Sequence, residues 1–190
     1  MWKPTAIVLL ACSTLCAAPP SSKPASQPAK QKFSLMNGAV RYLVPGGWKE
    51  RDRSDDGRKA QYQSPDEKAT MYVTVLPQEY PIPQHNLAFK EKMKTAILGA
   101  MKKKFEDQKT QMIYGPKAET DDRFLLRIAD REKGEEGTLD EVHLYRAAGL
   151  DLLSVTTTVL AETPAEAKPF HTMGEDTCLS IVLGPADKKK

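Results

Sequence analysis

The segment NLAFKEKMKTAILGAMKKKFED, residues 86–107, predicts one long amphipathic helix, and this helix decides the fold. Its large apolar residues recur at every fourth position, which places them on one helix face. Two alanines lie beside this stripe, and lysines occupy the opposite face. A helix with one apolar face needs a surface that buries it, so we expect the rest of the chain to supply a sheet. The stripe consists of Phe89, Met93, Ile97, Met101 and Phe105.

Alternating apolar and polar residues predict short antiparallel strands on both sides of this helix. The strands before the helix are expected to form a meander. The first strand after it is expected to stop at Gly115 and Pro116, and the next two are expected to form a long hairpin. The predicted strands cover residues 40–44, 60–64 and 71–75 before the helix, and residues 110–114, 124–128, 138–146 and 153–159 after it.

A second helix is predicted near the carboxyl end of the chain. Thr163 supplies an N-cap, Pro164 suits the first helical position, and Glu166 completes a capping box. Pro169 lacks a backbone N–H, so we expect it to kink or interrupt this helix.

The order of these elements predicts an α+β domain, in which the long helix and the carboxy-terminal helix pack on an antiparallel sheet of about six or seven strands. Three strands precede the long helix, four follow it, and the second helix comes last. The predicted organisation is a signal region at 1–18, a tether at 19–32, one α+β domain at 33–184 and a disordered tail at 185–190.

This order resembles the PsbP/Mog1-like fold over about residues 33–183. Two further features carry the resemblance: the Pro-Gly-Gly-Trp break that begins at Pro45, and a terminal helix that runs into Cys178, Leu179 and Ser180. Known members of this fold include photosystem-associated lumenal proteins, a small-GTPase release factor, periplasmic lipoproteins and chaperones for secreted effectors. The resemblance therefore implies the fold and does not select one function.

The amino terminus has the pattern of an export signal. Lys3 precedes a largely apolar segment at 5–15, which is too short to cross a bilayer. Residues 9–12, LLAC, resemble the lipobox of bacterial lipoproteins. This resemblance implies cleavage before Cys12 and attachment of lipid to its thiol. Cleavage after Ala18, which would release the protein without a lipid, is the alternative.

The segment PPSSKPASQPAKQK, residues 19–32, contains four prolines and no large apolar side chain. Such a composition cannot form a packed core, because it has too little apolar surface to bury. It predicts a semi-extended tether between a membrane anchor and the folded domain.

Charge argues against nucleic-acid binding. The net charge is only +3, and acidic and basic residues are interspersed along the chain. The lysine side of the long helix is a candidate interaction face for an acidic protein or for anionic lipid headgroups, where each lysine contributes about 1 kcal/mol. This face comprises Lys90, Lys94, Lys102, Lys103 and Lys104.

No linear motif specifies a reaction. The chain has neither a Gly-x-Ser-x-Gly elbow nor a phosphate-binding loop. His85, His143 and His171 are scattered, so no metal site is predicted. Residues 130–141 place acids as a calcium loop does, but Glu135 replaces the required glycine. We therefore expect no catalytic residue, no cofactor and no metal.

These observations predict a non-enzymatic lipoprotein of the bacterial cell envelope, facing the periplasm and acting as a protein-binding or assembly module. Its expected contacts are the membrane, through Cys12, and a protein partner. Two alternatives remain open. One is an immunity-type or chaperone protein that sequesters a secreted effector, and the other is a hydrolase whose site assembles from loops.

Overall fold

A computed structural model describes residues 29–77, 87–107, 112–121, 123–133, 137–148 and 151–185. The predicted signal region, the tether up to residue 28, His85 and the tail from residue 186 lie outside these described residues. Within the described part, neither helix combines the length and the apolar character needed to cross a membrane.

The described elements form two antiparallel sheets and two helices. The main sheet has seven strands in the order β3-β4-β5-β9-β8-β7-β6, and a small sheet has three in the order β1-β2-β10. The elements in chain order are β1 Gln31–Leu35, β2 Val40–Val44, β3 Lys49–Arg53, β4 Lys59–Gln63, β5 Ala69–Pro77, α1 Leu87–Asp107, β6 Met112–Asp121, β7 Phe124–Lys133, β8 Thr138–Ala148, β9 Asp151–Leu160, α2 Pro164–Leu179 and β10 Val182–Leu183.

The predicted α+β class is confirmed, with differences at the amino-terminal end of the domain. β1 begins at Gln31, inside the segment predicted as tether, and β3 was not predicted at all. β2 does not join a meander with β4 and β5, because it pairs with β1 and β10 in the small sheet. Gly47 has a φ of +85°, which favours glycine, and the turn it forms redirects the chain so that β3 pairs with β4.

Helix α1 covers one face of the main sheet, as its apolar stripe predicts. Met101 is buried against a cluster on the sheet, and Met93 and Ile97 are partly buried there. Leu98 also packs in this cluster, although it lies outside the predicted stripe. The side chains of Phe89 and Phe105 lie outside the described part of the structure. The sheet residues of this cluster are Leu125, Leu126, Ile128, Tyr145 and Leu152, with Leu76 and Ala147 at its margin.

Helix α2 packs on the other face of the main sheet and on β2, where the larger core lies. Val155 of β9 and Tyr62 of β4 are completely buried in this core. The predicted N-cap is confirmed, since Thr163 accepts a hydrogen bond from the backbone N–H of Glu166. The helix is not interrupted at Pro169, and the carbonyl group that loses its helical hydrogen bond there belongs to the exposed Ala165.

Strand β6 also differs from its prediction. It does not stop at Gly115 and Pro116 but continues to Asp121 along β7. Its register with β7 shifts between Met112 and Tyr114 and again between Tyr114 and Lys117. Such irregularities let an antiparallel strand pass a proline that cannot donate a ladder hydrogen bond.

Candidate functional site

The structure describes the side chains of three of the five lysines predicted as the interaction face of α1. The side chain of Lys94 is only 18% exposed, and its Nζ lies 2.6 Å from Oε1 of Glu91. Lys102 and Lys103 are exposed. The side chains of Lys90 and Lys104 lie outside the described residues. Lys102 and Lys103 are therefore the described members of this face that present charge to solvent.

A second basic surface was not predicted. An open groove of about 930 Å³ runs between the small sheet and β3, and every charged residue that lines it is basic. We call it the basic groove. Its main lining residues are Lys32, Phe33, Arg41, Tyr42, Arg53 and Val182.

Arg53 is held in place at one side of the basic groove. Its Nε and Nη2 each donate a 2.8 Å hydrogen bond to the carboxylate of Glu50, and its Nη1 donates to the carbonyl oxygen of Ser34 at 2.7 Å. The bond to Arg53 lowers the pKa of Glu50, so this pair stays ionised. Part of the charge of Arg53 is thereby neutralised, and Lys32 and Arg41 are the other basic residues that line the groove.

Tyr42 contributes a neutral hydroxyl beneath this surface. Its Oη lies 2.7 Å from Oη of Tyr62, and both side chains are buried. Burial raises the pKa of Tyr42 to about 12, although the bond to Tyr62 partly opposes the rise. The two phenols therefore act as a structural hydrogen-bonded pair and not as titrating groups.

The segment from Leu179 to Leu183 carries three exposed apolar side chains, of which Val182 lines the basic groove. Val182 is 63% exposed and Leu183 is 46% exposed, both on the edge strand β10. Leu179, at the end of α2, is 36% exposed. We call these three residues the apolar edge. The other exposed large apolar residues of the described chain are Leu139 and Leu160.

The backbone around the apolar edge is firmly held. Arg146 donates hydrogen bonds of 3.2 Å to the carbonyl oxygens of Cys178 and Ile181. Ser180 accepts a bond from the backbone N–H of Leu43 at 2.8 Å and donates one to the carbonyl oxygen of Thr177 at 2.7 Å. These contacts satisfy carbonyl groups at the end of α2 and fix β10 against β2. The apolar edge is therefore exposed on a well-anchored segment.

His171 belongs to the packing of α2 on the sheet. Its Nε2 donates to Oδ1 of Asp140 at 2.7 Å, and Nε of Arg131 lies 3.8 Å from the other carboxylate oxygen. Nδ1 of His171 is buried without a hydrogen-bond partner, so a second proton there would be costly. Burial accordingly lowers the pKa of His171, and Asp140 opposes this only in part.

This arrangement predicts a loss of stability in acid. The folded-state pKa of His171 lies below its unfolded value of about 6.5, so its contribution is complete above that pH and is lost as the pH falls. We expect urea unfolding at pH 7.5 and pH 5 to show a smaller acid-induced loss in His171→Asn than in the wild type. An equal loss in both proteins would contradict this assignment.

A second histidine lies among carboxylates on the α1 side of the main sheet. Asp130 and Glu141 are cross-strand neighbours on β7 and β8, and His143 pairs with Ile128, which belongs to the α1 cluster. Nε2 of His143 lies 3.4 Å from Oδ2 of Asp130 and 3.4 Å from Oε2 of Glu141. We call Asp130, Glu141 and His143 the acid–histidine cluster. It is the group of residues in the described chain that could hold a metal ion.

Two threonines of β9 orient this cluster. Nδ1 of His143 lies 3.1 Å from Oγ1 of Thr156, and Thr158 donates a 2.7 Å hydrogen bond to Oε1 of Glu141. Burial alone would lower the pKa of His143, but its direct interactions with the carboxylates of Asp130 and Glu141, together with their charges, outweigh burial and raise the pKa to about 8. The cluster thus attracts positive charge to Nε2.

The described structure brings together some residues that are far apart in the sequence. His143 meets the first and last acids of the rejected calcium-loop pattern, because these acids face each other across the hairpin. His171 lies on the other face of the sheet, with α2. Cys178 is completely buried, and burial raises the pKa of its thiol to about 12, so the thiol is not poised to react.

No protein-family model matches the chain, and a sequence comparison with curated proteins gives no match. Solved structures do match. The Ran-binding protein Mog1p of Saccharomyces cerevisiae is similar with a TM-score of 0.55 and 9% identity, over 82% of this chain and 95% of that one. Cyanobacterial PsbP (CyanoP) of Synechocystis is similar with a TM-score of 0.51 and 13% identity, over 86% and 98%.

LpqN of Mycobacterium tuberculosis, which is involved in cell envelope biogenesis, also matches, with a TM-score of 0.47 and 10% identity over 83% of this chain and 91% of that one. At such identities, structural likeness defines the fold alone. Mog1p and CyanoP are each spanned almost completely, and together with the element order described above they show that this chain has a PsbP/Mog1-like fold.

Proposed function

We infer that this chain is a non-enzymatic protein-binding module, carried on the periplasmic side of a bacterial envelope by a lipid on Cys12. The observation that carries the binding role is the apolar edge beside the basic groove. Mog1p, which shares the fold, is a Ran-binding protein, so the fold is compatible with protein recognition. This last support is an analogy between folds and does not identify the partner.

The exposure of the apolar edge argues for a partner surface. Three of the five exposed large apolar residues of the described chain lie between Leu179 and Leu183. Several exposed apolar residues within one short segment indicate an interaction site more strongly than single exposed residues do. Because the segment is anchored through Arg146 and Ser180, a partner would lose little free energy in ordering it.

The charges of the basic groove indicate the chemistry of the partner. Lys32, Arg41 and Arg53 line the groove and no acidic residue does, while Phe33 and Val182 add apolar surface. Electrostatic complementarity favours an acidic segment and raises its association rate. We therefore propose an extended segment of another protein, with acidic side chains over the groove and apolar ones against β10.

Substitution at the apolar edge tests this function. Val182→Asp is expected to reduce capture of the partner at least tenfold in an in-cell crosslinking and pull-down experiment, because it places a charge where apolar contact is needed. Lys32→Glu should reduce capture and also weaken its dependence on salt. Leu160→Asp is the matched control, since Leu160 is 42% exposed on β9, away from the groove.

Each result decides the proposal. Loss of capture in Val182→Asp and Lys32→Glu, with capture retained in Leu160→Asp, supports it. Equal capture by all three variants would overturn it. Loss of capture in a Lys102→Glu, Lys103→Glu double variant alone would place the binding site on the lysine face of α1 instead. A dimer that dissociates on Val182→Asp would identify the occupant as a second copy of this chain and contradict a foreign partner.

The immunity-type or chaperone alternative would use the same surface and differ in the partner. It predicts that the captured protein is a secreted effector whose activity falls when it is bound. The assay of the captured protein, with and without the wild-type chain, separates this alternative from an assembly role.

A further inference from the structure

We propose that the acid–histidine cluster is a binding site for a divalent transition-metal cation, with Zn²⁺ as the best fit, held by Asp130 Oδ2, Glu141 Oε2 and His143 Nε2. This inference is independent of the protein-binding role. It runs against the sequence-based expectation that the chain holds no metal.

The distances from His143 to the two carboxylates match those between ligands of one metal ion. One ligand atom from each residue lies within 4.8 Å of the others, and Nε2 of His143 is 3.4 Å from each carboxylate. Tetrahedral zinc has bonds of about 2.0–2.2 Å, which places neighbouring ligand atoms about 3.3–3.5 Å apart. The imidazole ligand favours Zn²⁺ and similar ions over Ca²⁺ or Mg²⁺, which prefer oxygen ligands alone.

Two of the three atoms are buried without a partner. Asp130 is 4% exposed and His143 is 6% exposed. Neither Asp130 Oδ2 nor His143 Nε2 has a hydrogen-bond partner, although they face each other. Leaving a buried carboxylate oxygen and a buried ring nitrogen unpaired is costly. One cation between them would satisfy both atoms at once.

The surrounding groups orient these three atoms so that they can coordinate a metal ion. With Nδ1–H of His143 donating to Thr156, the lone pair of Nε2 is directed at the carboxylates. Thr158 holds Oε1 of Glu141 through a hydrogen bond, and Oε2 of the same carboxylate lies 3.4 Å from Nε2 of His143. Neighbouring strands β7, β8 and β9 carry all these groups, so the geometry is rigid. The side chain of Glu141 is 21% exposed, so the cluster reaches the surface at this residue.

The experiment is Zn²⁺ binding to the purified, metal-stripped full chain, measured by titration calorimetry and by the thermal midpoint. We expect one Zn²⁺ per chain and a midpoint that rises with Zn²⁺ concentration, as mass action requires. Asp130→Asn and His143→Asn should each weaken binding at least about 100-fold, since even outer-shell changes cost about 10–100-fold. His171→Asn is the matched control, because it alters the other buried histidine–aspartate pair and should leave binding unchanged.

A second measurement uses the wild-type chain, so its result does not depend on whether the variants fold. Co²⁺ added to the stripped wild-type chain should give visible absorption typical of tetrahedral cobalt at one equivalent, and one equivalent of Zn²⁺ should remove it. Failure of the wild type to bind either ion, or equal binding by the wild type and a folded His143→Asn, would overturn the proposal. Such results are expected if His143 binds only a proton and the cluster binds no metal ion.

Discussion

Cys12→Ala is expected to move the protein from the membrane fraction to the soluble fraction and to abolish incorporation of a labelled fatty acid. Cys12 ends the sequence LLAC, and its thiol is the atom that a lipoprotein-type modification requires. Each buried methylene of an acyl chain contributes about 0.8 kcal/mol to membrane binding, and stable anchoring takes two such signals. Loss of the thiol removes all acyl chains together, so the change should be nearly complete.

The neighbouring cysteine supplies the control. Cys16→Ala changes the same residue type four positions later and should leave both the fatty-acid label and the membrane fraction as in the wild type. If neither substitution changes the fractionation, and mass spectrometry finds a mature amino terminus at Pro19, cleavage follows Ala18 and the lipid anchor is wrong. A partner that still requires the apolar edge would then bind a secreted module and not a tethered one.

The main sheet could be predicted because, along its central strands, apolar residues on the α2 side alternate with mostly polar residues on the α1 side. On β9, Leu153 and Val155 join the α2 core, whereas Leu152 joins the α1 cluster. Such strands carry strong local patterns. Strand β3, KERDR, is exposed at every position and lies at the edge of the sheet, so it has no alternation to detect.

The small sheet and the basic groove depend on contacts between distant parts of the chain. β2 pairs with Gln31–Leu35 on one side and with Val182–Leu183 on the other. No local sequence pattern indicates that Lys32, Arg53 and Val182 line one groove, because their strands come together only in the folded domain. The sequence therefore predicted the helix lysines as a binding face and missed this surface.

More of the acid–histidine cluster than of the basic groove could be predicted from the sequence. The hairpin between β7 and β8 was expected, and pairing Lys133 with Thr138 leads residue by residue to the pairing of Asp130 with Glu141. His143 follows two residues later, on the same face of the strand. The register that the turn sets between β7 and β8 could not be predicted from the sequence. A slip of one residue would place the side chains of the cluster on opposite faces of the sheet.

Gly174→Ala is expected to lower the free energy of unfolding by about 1–3 kcal/mol, because α2 approaches β9 too closely there for a side chain. A Cβ at Gly174 would lie 2.1 Å from Oγ1 of Thr157 and 3.3 Å from its Cβ. Thr157 is almost completely buried, so its side chain has little room to yield. The helix would have to move away from the sheet, which would loosen the core around it.

Two further variants show whether the close contact with Thr157 causes the loss of stability in Gly174→Ala. In a Thr157→Ala background the clashing oxygen is gone, so Gly174→Ala should cost less than about 1 kcal/mol, and the double-mutant cycle should give a coupling energy of about 1–2 kcal/mol. Gly99→Ala is the control in α1, where a Cβ would meet nothing within 4 Å. It should raise stability by about 0.5–1 kcal/mol, since alanine favours an exposed helix. Equal costs of Gly174→Ala in both backgrounds would show that Thr157 does not set the distance between α2 and the sheet.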